Sequence, residues 1–289
     1  MIPSNFTYHK ASSLQEAFTL SEELGDEAKY MSGGHSLLPM MKLRFATPEH
    51  IIDISKIDGL SYIIEDDDKL RIGAMTTQSE IEHSELIQEK YPIFKDAAKL
   101  IADPSVRNCG TIGGNIAHGD AANDQPSLML ALRAVLIAEG PNGRRSIPID
   151  DFFHGFYMTA LDPVEILVEI ELPKHQPGCG GAYYKVERKV GDYAASGSAV
   201  YLELDSSGVC KEIGIGLTNL SMTPLRLSRA EDLLRGKEIT EDLIEQAGVI
   251  ASEDCDPSSD LRGSEAYKRS ITNTITKRMI HRALERAKS

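Results

Sequence analysis

Two segments with adjacent glycines, Ser32-Gly33-Gly34-His35-Ser36 and Thr111-Ile112-Gly113-Gly114-Asn115, constrain this chain more than any other feature. Glycine reaches φ > 0 and carries no Cβ, so a glycine pair marks a place where the main chain turns sharply or lies against another group. Successive N–H groups in such a turn form a concave anion site. Ser36 and Thr111 add hydroxyls there, and Asn115 adds an amide. A single Gly-Gly turn is more often structural than ligand-binding. Two of them, about eighty residues apart with similar polar neighbours, can grip a pyrophosphate from both sides. No GxxxxGK[ST] and no GxGxxG occurs, so the pair is neither a Walker-type site nor a Rossmann fingerprint.

With 289 residues, the chain has room for about two domains of roughly 100–200 residues each. Its hydrophobic share of 41% and charged share of 26% suit a globular protein. A formal net charge of −13 argues against nucleic acid or an anionic membrane as partner, since both need a basic face. An anionic cofactor stays possible, because backbone N–H groups bind phosphate without net positive charge. No apolar run is long enough for a transmembrane helix. Met1–Phe6 has neither the basic cluster nor the apolar core of a signal peptide, so a cytoplasmic location is expected. The cysteines at 109, 179, 210 and 255 form no CxxC clip. They are read as reduced structural thiols, not as ligands of iron–sulfur clusters or zinc, nor as disulfides.

Along the chain, Ser13-Leu14-Gln15-Glu16 has the form of a capping box, and Gly25 is a plausible helix stop. Lys29–Met31, Ile51–Ile54 and Ser61–Glu65 read as strands. Asp66-Asp67-Asp68 reads as a solvated turn leading to a returning strand, Lys69–Ile72, with no calcium-loop spacing. Helical patterns cover Gln78–Leu86 and Tyr91–Ile101, and Pro126 suits a helix first turn. Ala134–Ala138 and Glu165–Leu172 read as strands. Pro173–Gly178 is a turn-rich linker and the best domain boundary. Beyond it come three strands, Tyr183–Val190, Ala199–Leu204 and Glu212–Leu217. Helices follow over Arg229–Leu234, Glu241–Ala251 and Ser264–Ala287. In the last, a stripe of Tyr267, Ile271, Ile275, Met279 and Leu284 is expected to face the core or a subunit interface. The expected class is α+β. An N-terminal domain would cover 1–176, in subdomains of about 1–56 and 57–176. A C-terminal domain would cover 177–289, with a three-stranded antiparallel sheet and a helical bundle.

The stretches Gly33–Arg44 and Thr111–Ala117 closely resemble the FAD-binding subunits of molybdenum hydroxylases, in particular the medium subunits of aerobic carbon monoxide dehydrogenases. Xanthine dehydrogenases and aldehyde oxidases carry a similar domain. The resemblance runs end to end. Gly119–Asp124 follows the second glycine segment as in the family, Lys189–Ala194 resembles its flavin-side signature, and Asp260–Ser264 through Tyr267-Lys268-Arg269 resembles its closing motif. Two positions depart from the family: Ser32 and Ala121 stand where Ala and Pro are usual.

The resemblance implies a PCMH-type FAD-binding domain, noncovalent FAD, and an electron relay instead of a substrate site. A [2Fe–2S] small subunit would deliver electrons from a molybdopterin-binding large subunit, within a dimer of heterotrimers, and an outside acceptor would take them. Ser32, Gly33, Gly34, His35, Ser36 and Leu37, with Thr111, Ile112, Gly113, Gly114 and Asn115, would hold the pyrophosphate and its neighbours. Asp124 would bond a cofactor hydroxyl or the polar flavin edge. Lys185 and Tyr193 would lie near the isoalloxazine, the lysine favouring an anionic reduced flavin. His35 and His118 flank the glycine segments as hydrogen-bonding groups; no second ligand stands at metal-binding spacing. Plainer readings stand beside these: Tyr193 as a packed core aromatic and Lys185 as a solvated strand residue. No residue is assigned a catalytic role. A self-contained FAD-dependent oxidase or reductase, or a cofactor-less binding module on the same fold, are the alternatives.

Overall fold

The structure is a computed structural model and describes residues 2–289. Strands Thr7–Lys10, Ala28–Met31 and His50–Asp53 form a parallel sheet with His50–Asp53 in the middle. Parallel neighbours need a crossover, and the helix Leu14–Leu24 supplies the first. Ser13 caps that helix by accepting the Glu16 N–H, and Ala17 and Phe18 bury its apolar side. The second crossover opens with the first glycine segment and runs through the helix Leu37–Leu43. That helix is absent from the sequence expectations because it is seven residues long and holds Pro39.

A five-stranded antiparallel sheet follows, in the order Ile63–Glu65, Lys69–Gly73, Ile166–Pro173, Val135–Gly140, Gly143–Pro148. Its first two strands are the hairpin expected across Asp66-Asp67-Asp68. The single helix expected over Gln78–Leu86 is instead two, Gln78–His83 and Glu85–Lys90. Ser84 leaves the helical region, with ψ 118°, and accepts the Ile87 N–H to start the second.

Helix Asp124–Ala131 is buried along its whole length and packs on strands Ser196–Leu204 and Cys210–Thr218. The close approach needs Gly214 and Gly216, where a Cβ would overlap the carbonyls of Ala131 and Ser127. These strands belong to an antiparallel sheet in the order Cys179–Val186, Ser196–Leu204, Cys210–Thr218, Leu225–Arg226. The three long strands are those expected, except that the first begins and ends four residues earlier than Tyr183–Val190; the fourth is two residues long, too short for alternation to mark. Helices Ser228–Leu234, Glu241–Asp254 and Glu265–Ala287 form a second core with this sheet, around Leu202, Ile215, Leu234, Ala247 and Ile280.

The last helix buries Lys268, Thr272, Ile275, Thr276, Met279, Ile280 and Ala283, while Tyr267 is 46% exposed. The expected stripe is thus rotated toward polar residues. Lys268 Nζ donates to Ser258 O at 2.9 Å and pairs with Asp260 at 2.8 Å, and Thr272 and Thr276 meet Ser196 and Ser198 hydroxyls. Buried polar groups with partners are tolerated, and an apolar stripe does not see them. No helix among the described residues is long and apolar enough to cross a membrane.

Candidate functional site

The two glycine segments lie side by side, and the glycines serve that contact. A Cβ on Gly33 would overlap the Cys109 carbonyl and one on Gly114 would overlap Ser32 Oγ, whereas one on Gly113 would stand 2.5 Å from Ala74 Cβ, outside both segments. Ser32 Oγ stands 3.1 Å from Thr111 Oγ1 across the junction. Gly34 has φ +72°, the left-handed conformation that favours glycine.

Their donor groups differ sharply. The second segment is the start of a helix, Ile112–Ala117, and its N–H groups from Ile112 through Asn115 are spent inside the protein. Ile112 N–H donates to Thr76 O, Gly113 to Ala74 O, Gly114 to Thr111 Oγ1 and Asn115 to Thr111 O. In the first segment, none of the N–H groups from Ser32 through Leu37 donates to another group among the described residues. Six consecutive free N–H groups beside a cleft can together bind an anion. In the second segment, nonlocal carbonyls take the Ile112 and Gly113 N–H groups, and Thr111 takes those of Gly114 and Asn115.

The cleft beside them measures about 610 Å³, within the usual range of ligand sites. Ser32–Leu37, Thr111, Gly113, Gly114, Asn115, His118, Asp124, Lys185 and Tyr193 all line it. Ile112 does not: its side chain points into the core, fully buried, one position out of phase with its neighbours on the helix. Residues that sequence reasoning passed over also line the cleft, among them Gln78, Ile101, Ala102, Tyr157 and Asp192. Asp192 was within reach, since it sits inside the Lys189–Ala194 motif. Gln78 opens an ordinary capped helix, and Tyr157 sits at a hairpin tip, so neither carries a local signal.

At one end, Lys185 is buried, 2% exposed, not a solvated strand residue. Its Nζ donates to Asp124 Oδ2 at 3.0 Å and lies 3.6 Å from Glu187. Tyr183 OH donates to Asp124 Oδ1 at 2.5 Å. Burial pushes the Asp124 carboxyl up, against the pull of Lys185 and Tyr183. Burial also raises Glu187 and, with Asp124 beside it, raises the Tyr183 phenol well above its ordinary value. A carboxylate deep in protein costs free energy that close partners must offset.

Tyr193 is 42% exposed and lines the cleft, so it is not a core aromatic. Arg262 holds it: Nε donates to Tyr193 O at 3.2 Å, a second nitrogen to Asp192 at 3.2 Å, and the guanidinium sits 5.6 Å from the Tyr193 ring centroid. Two motifs far apart in sequence thereby form one wall. Burial pushes the Tyr193 phenol up to about 12. His118 is tilted against the Tyr157 ring at 4.8 Å, and burial lowers its pKa. His35 is exposed at the rim. All four cysteines are unpaired; Cys179, Cys210 and Cys255 are buried, whereas Cys109 is exposed.

Residues 4–175 match the FAD binding domain in molybdopterin dehydrogenase, and residues 181–283 match the CO dehydrogenase flavoprotein C-terminal domain. The chain belongs to this flavoprotein family. Over 99% of both chains it is 46% identical to the carbon monoxide dehydrogenase medium chain of Hydrogenophaga pseudoflava. It is 42% identical, over the full length of both, to the corresponding chain of Afipia carboxidovorans. The solved carbon monoxide dehydrogenase from Hydrogenophaga pseudoflava that lacks the Mo-pyranopterin moiety superposes with a TM-score of 0.96, at 48% identity and 99% coverage of both chains. The present chain is an FAD-binding medium subunit of the molybdenum hydroxylase type, an oxidoreductase component, and its cofactor is FAD.

Its own residues fit that cofactor. The free N–H run suits a pyrophosphate. Two buried amide atoms, Gln78 Nε2 and Asn115 Oδ1, have no protein partner although both residues line the cleft. A buried donor and acceptor left open at a ligand site are the complement a polar ligand requires.

Proposed function

We propose that this subunit is an electron relay: it takes electrons from the [2Fe–2S] clusters of a partner chain and passes them to an external acceptor. The observation that carries this reading is how polar groups are divided in the cleft. Groups with spare hydrogen-bonding capacity are backbone N–H groups and amides, which bind and orient. The Asp124 and Lys185 side chains that line the cleft are already paired with one another. Bound FAD supplies the reversible redox chemistry.

In this reading Ser32–Leu37 bind the pyrophosphate through their N–H groups. Thr111, Gly113 and Gly114 shape the facing wall, and Asn115 offers its free side-chain amide oxygen. Ile112 supports that wall from the core. Lys185, held by Asp124, places a positive charge at the flavin end, and Tyr193 covers part of a ring face. His35 and His118 are neighbouring hydrogen-bonding groups, and FAD is held without a covalent bond. The division at about residue 176 fits the change of sheet. The partners are a [2Fe–2S] small subunit and a molybdopterin-binding large subunit, in a dimer of heterotrimers, in the cytoplasm.

Two experiments test the proposal separately. Purified chain mixed with FAD should gain a flavin band near ~450 nm; a chain that stays colourless fails the cofactor step. Purification of the tagged chain from its host should recover an iron–sulfur chain and a molybdenum chain in fixed ratio. Turnover of a small organic substrate by the isolated FAD-loaded chain would replace the relay with a self-contained oxidase or reductase.

A further inference from the structure

The tip of the hairpin Phe153–Gly155 and Met158–Thr159 holds Tyr157 in a conformation that a tyrosine rarely adopts, with φ +56°. A bulky side chain there is a true outlier, and such strain persists only where surrounding contacts enforce it. The contacts are specific. Tyr157 N–H donates to Gly119 O at 3.2 Å. Gly119 itself has φ +69°, and a Cβ on it would press on Tyr157 Cα at 3.3 Å and Thr159 Cγ2 at 3.1 Å. The Tyr157 ring is tilted on His118 at 4.8 Å and on Phe156 at 4.1 Å. The segment after the second glycine pair and the hairpin thus clamp one aromatic ring in a fixed pose.

That ring lines the cleft and is 42% exposed, so part of its surface faces open space. Tyr193 lines the same cleft. A glycine would meet the backbone demand at 157 without strain. The aromatic side chain needs another reason, and packing alone would not place it half out in a ligand cleft.

We infer that Tyr157 is a cofactor-contacting residue, whose strained pose presents its ring to the bound FAD at the end of the cleft it shares with Tyr193. The inference rests on FAD occupying this cleft and adds a contact that neither glycine segment supplies. Aromatic pairs contribute beyond their buried area when the rings are held in place.

Tyr157→Gly separates this role from simple packing. The measurements are thermal melting of the FAD-free chain and the FAD dissociation constant by flavin fluorescence titration, each beside wild type and Tyr157→Phe. Tyr157→Gly should melt within about two degrees of wild type or higher, because relief of the left-handed strain offsets the lost ring contacts. Its FAD dissociation constant should rise about tenfold, the equivalent of ~1.4 kcal/mol. Tyr157→Phe should stay within about threefold, since it keeps the ring. A Tyr157→Gly chain that binds FAD as tightly as wild type overturns the inference, as does a Tyr157→Phe chain as weak as Tyr157→Gly. If wild type itself binds no FAD, it is the cofactor assignment that fails.

Discussion

Ser32 Oγ stands 3.1 Å from Thr111 Oγ1, the side-chain hydrogen bond that ties the first glycine segment to the second. Thr111 Oγ1 also accepts the Gly114 N–H at 3.1 Å, so one hydroxyl both caps a helix and anchors the neighbouring segment. Ser32→Ala removes one neutral bond and should cost about 0.5–1.5 kcal/mol. Thr111→Val loses that bond and the cap together, and should cost about 1–2 kcal/mol more. Urea unfolding of the FAD-free chain measures both. Equal losses for the two variants would show that the cap contributes nothing.

The glycines make a sharper prediction because their demands differ. At Gly113 a Cβ would lie 2.5 Å from Ala74 Cβ and 2.7 Å from Ala74 O, both fixed by the bond from Gly113 N–H to Ala74 O. Gly113→Ala should therefore destabilise the chain by about 3 kcal/mol or more, with FAD present or absent. At Gly34 the nearest atom is the flexible Leu38 Cδ1 at 3.0 Å, and the cost is mainly the φ of +72°. Gly34→Ala should lose only about 1–2 kcal/mol. Calorimetric melting of both variants decides the order, and a reversed order would mean that Gly113 is not packed against Ala74 as described.

Much of this was legible in the sequence, and the failures share a cause. Short-range patterns located the glycine segments, the hairpin at Asp66-Asp67-Asp68 and the three long C-terminal strands, because each depends on neighbours in sequence. The spent N–H groups of Ile112 and Gly113 depend on Thr76 and Ala74, which no local pattern couples to them. Lys185 lies on the buried side of a strand whose Tyr184 is exposed, an inversion of the usual polarity. It becomes sensible only once Asp124, 61 residues away, is beside it. Tyr157 owes its place to Gly119 and His118, again across the fold.

The buried pair at Asp124 and Lys185 should respond asymmetrically to mutation. Asp124→Asn leaves Lys185 with Glu187 at 3.6 Å as a remaining partner. Lys185→Met leaves two carboxyls near each other without a cation, and losing one member of a buried pair costs about 3–5 kcal/mol. The lysine variant should therefore be the less stable at pH 7.5. Both carboxyls are already raised by burial, so the folded state binds protons more readily than the unfolded chain. Acidification from pH 7.5 toward 5 should then recover part of the Lys185→Met loss. Unfolding free energies for the two variants, compared at both pH values, test the order and the recovery together.

His118 gives a pH dependence of the opposite sign. Burial lowers its folded-state pKa, while Asp120 only partly opposes that. In the unfolded chain the imidazole titrates near its ordinary value of ~6.5. Between the two values the unfolded state binds more protons, so stability is fully present above the ordinary value and lost as pH falls through the folded one. His118→Phe keeps an aromatic ring against Tyr157 but cannot titrate. Melting temperatures of FAD-free wild type should fall from pH 7 to pH 5 more steeply than those of His118→Phe. Parallel curves would mean that His118 stays equally solvated in both states, which its contact at 4.8 Å with the Tyr157 ring argues against.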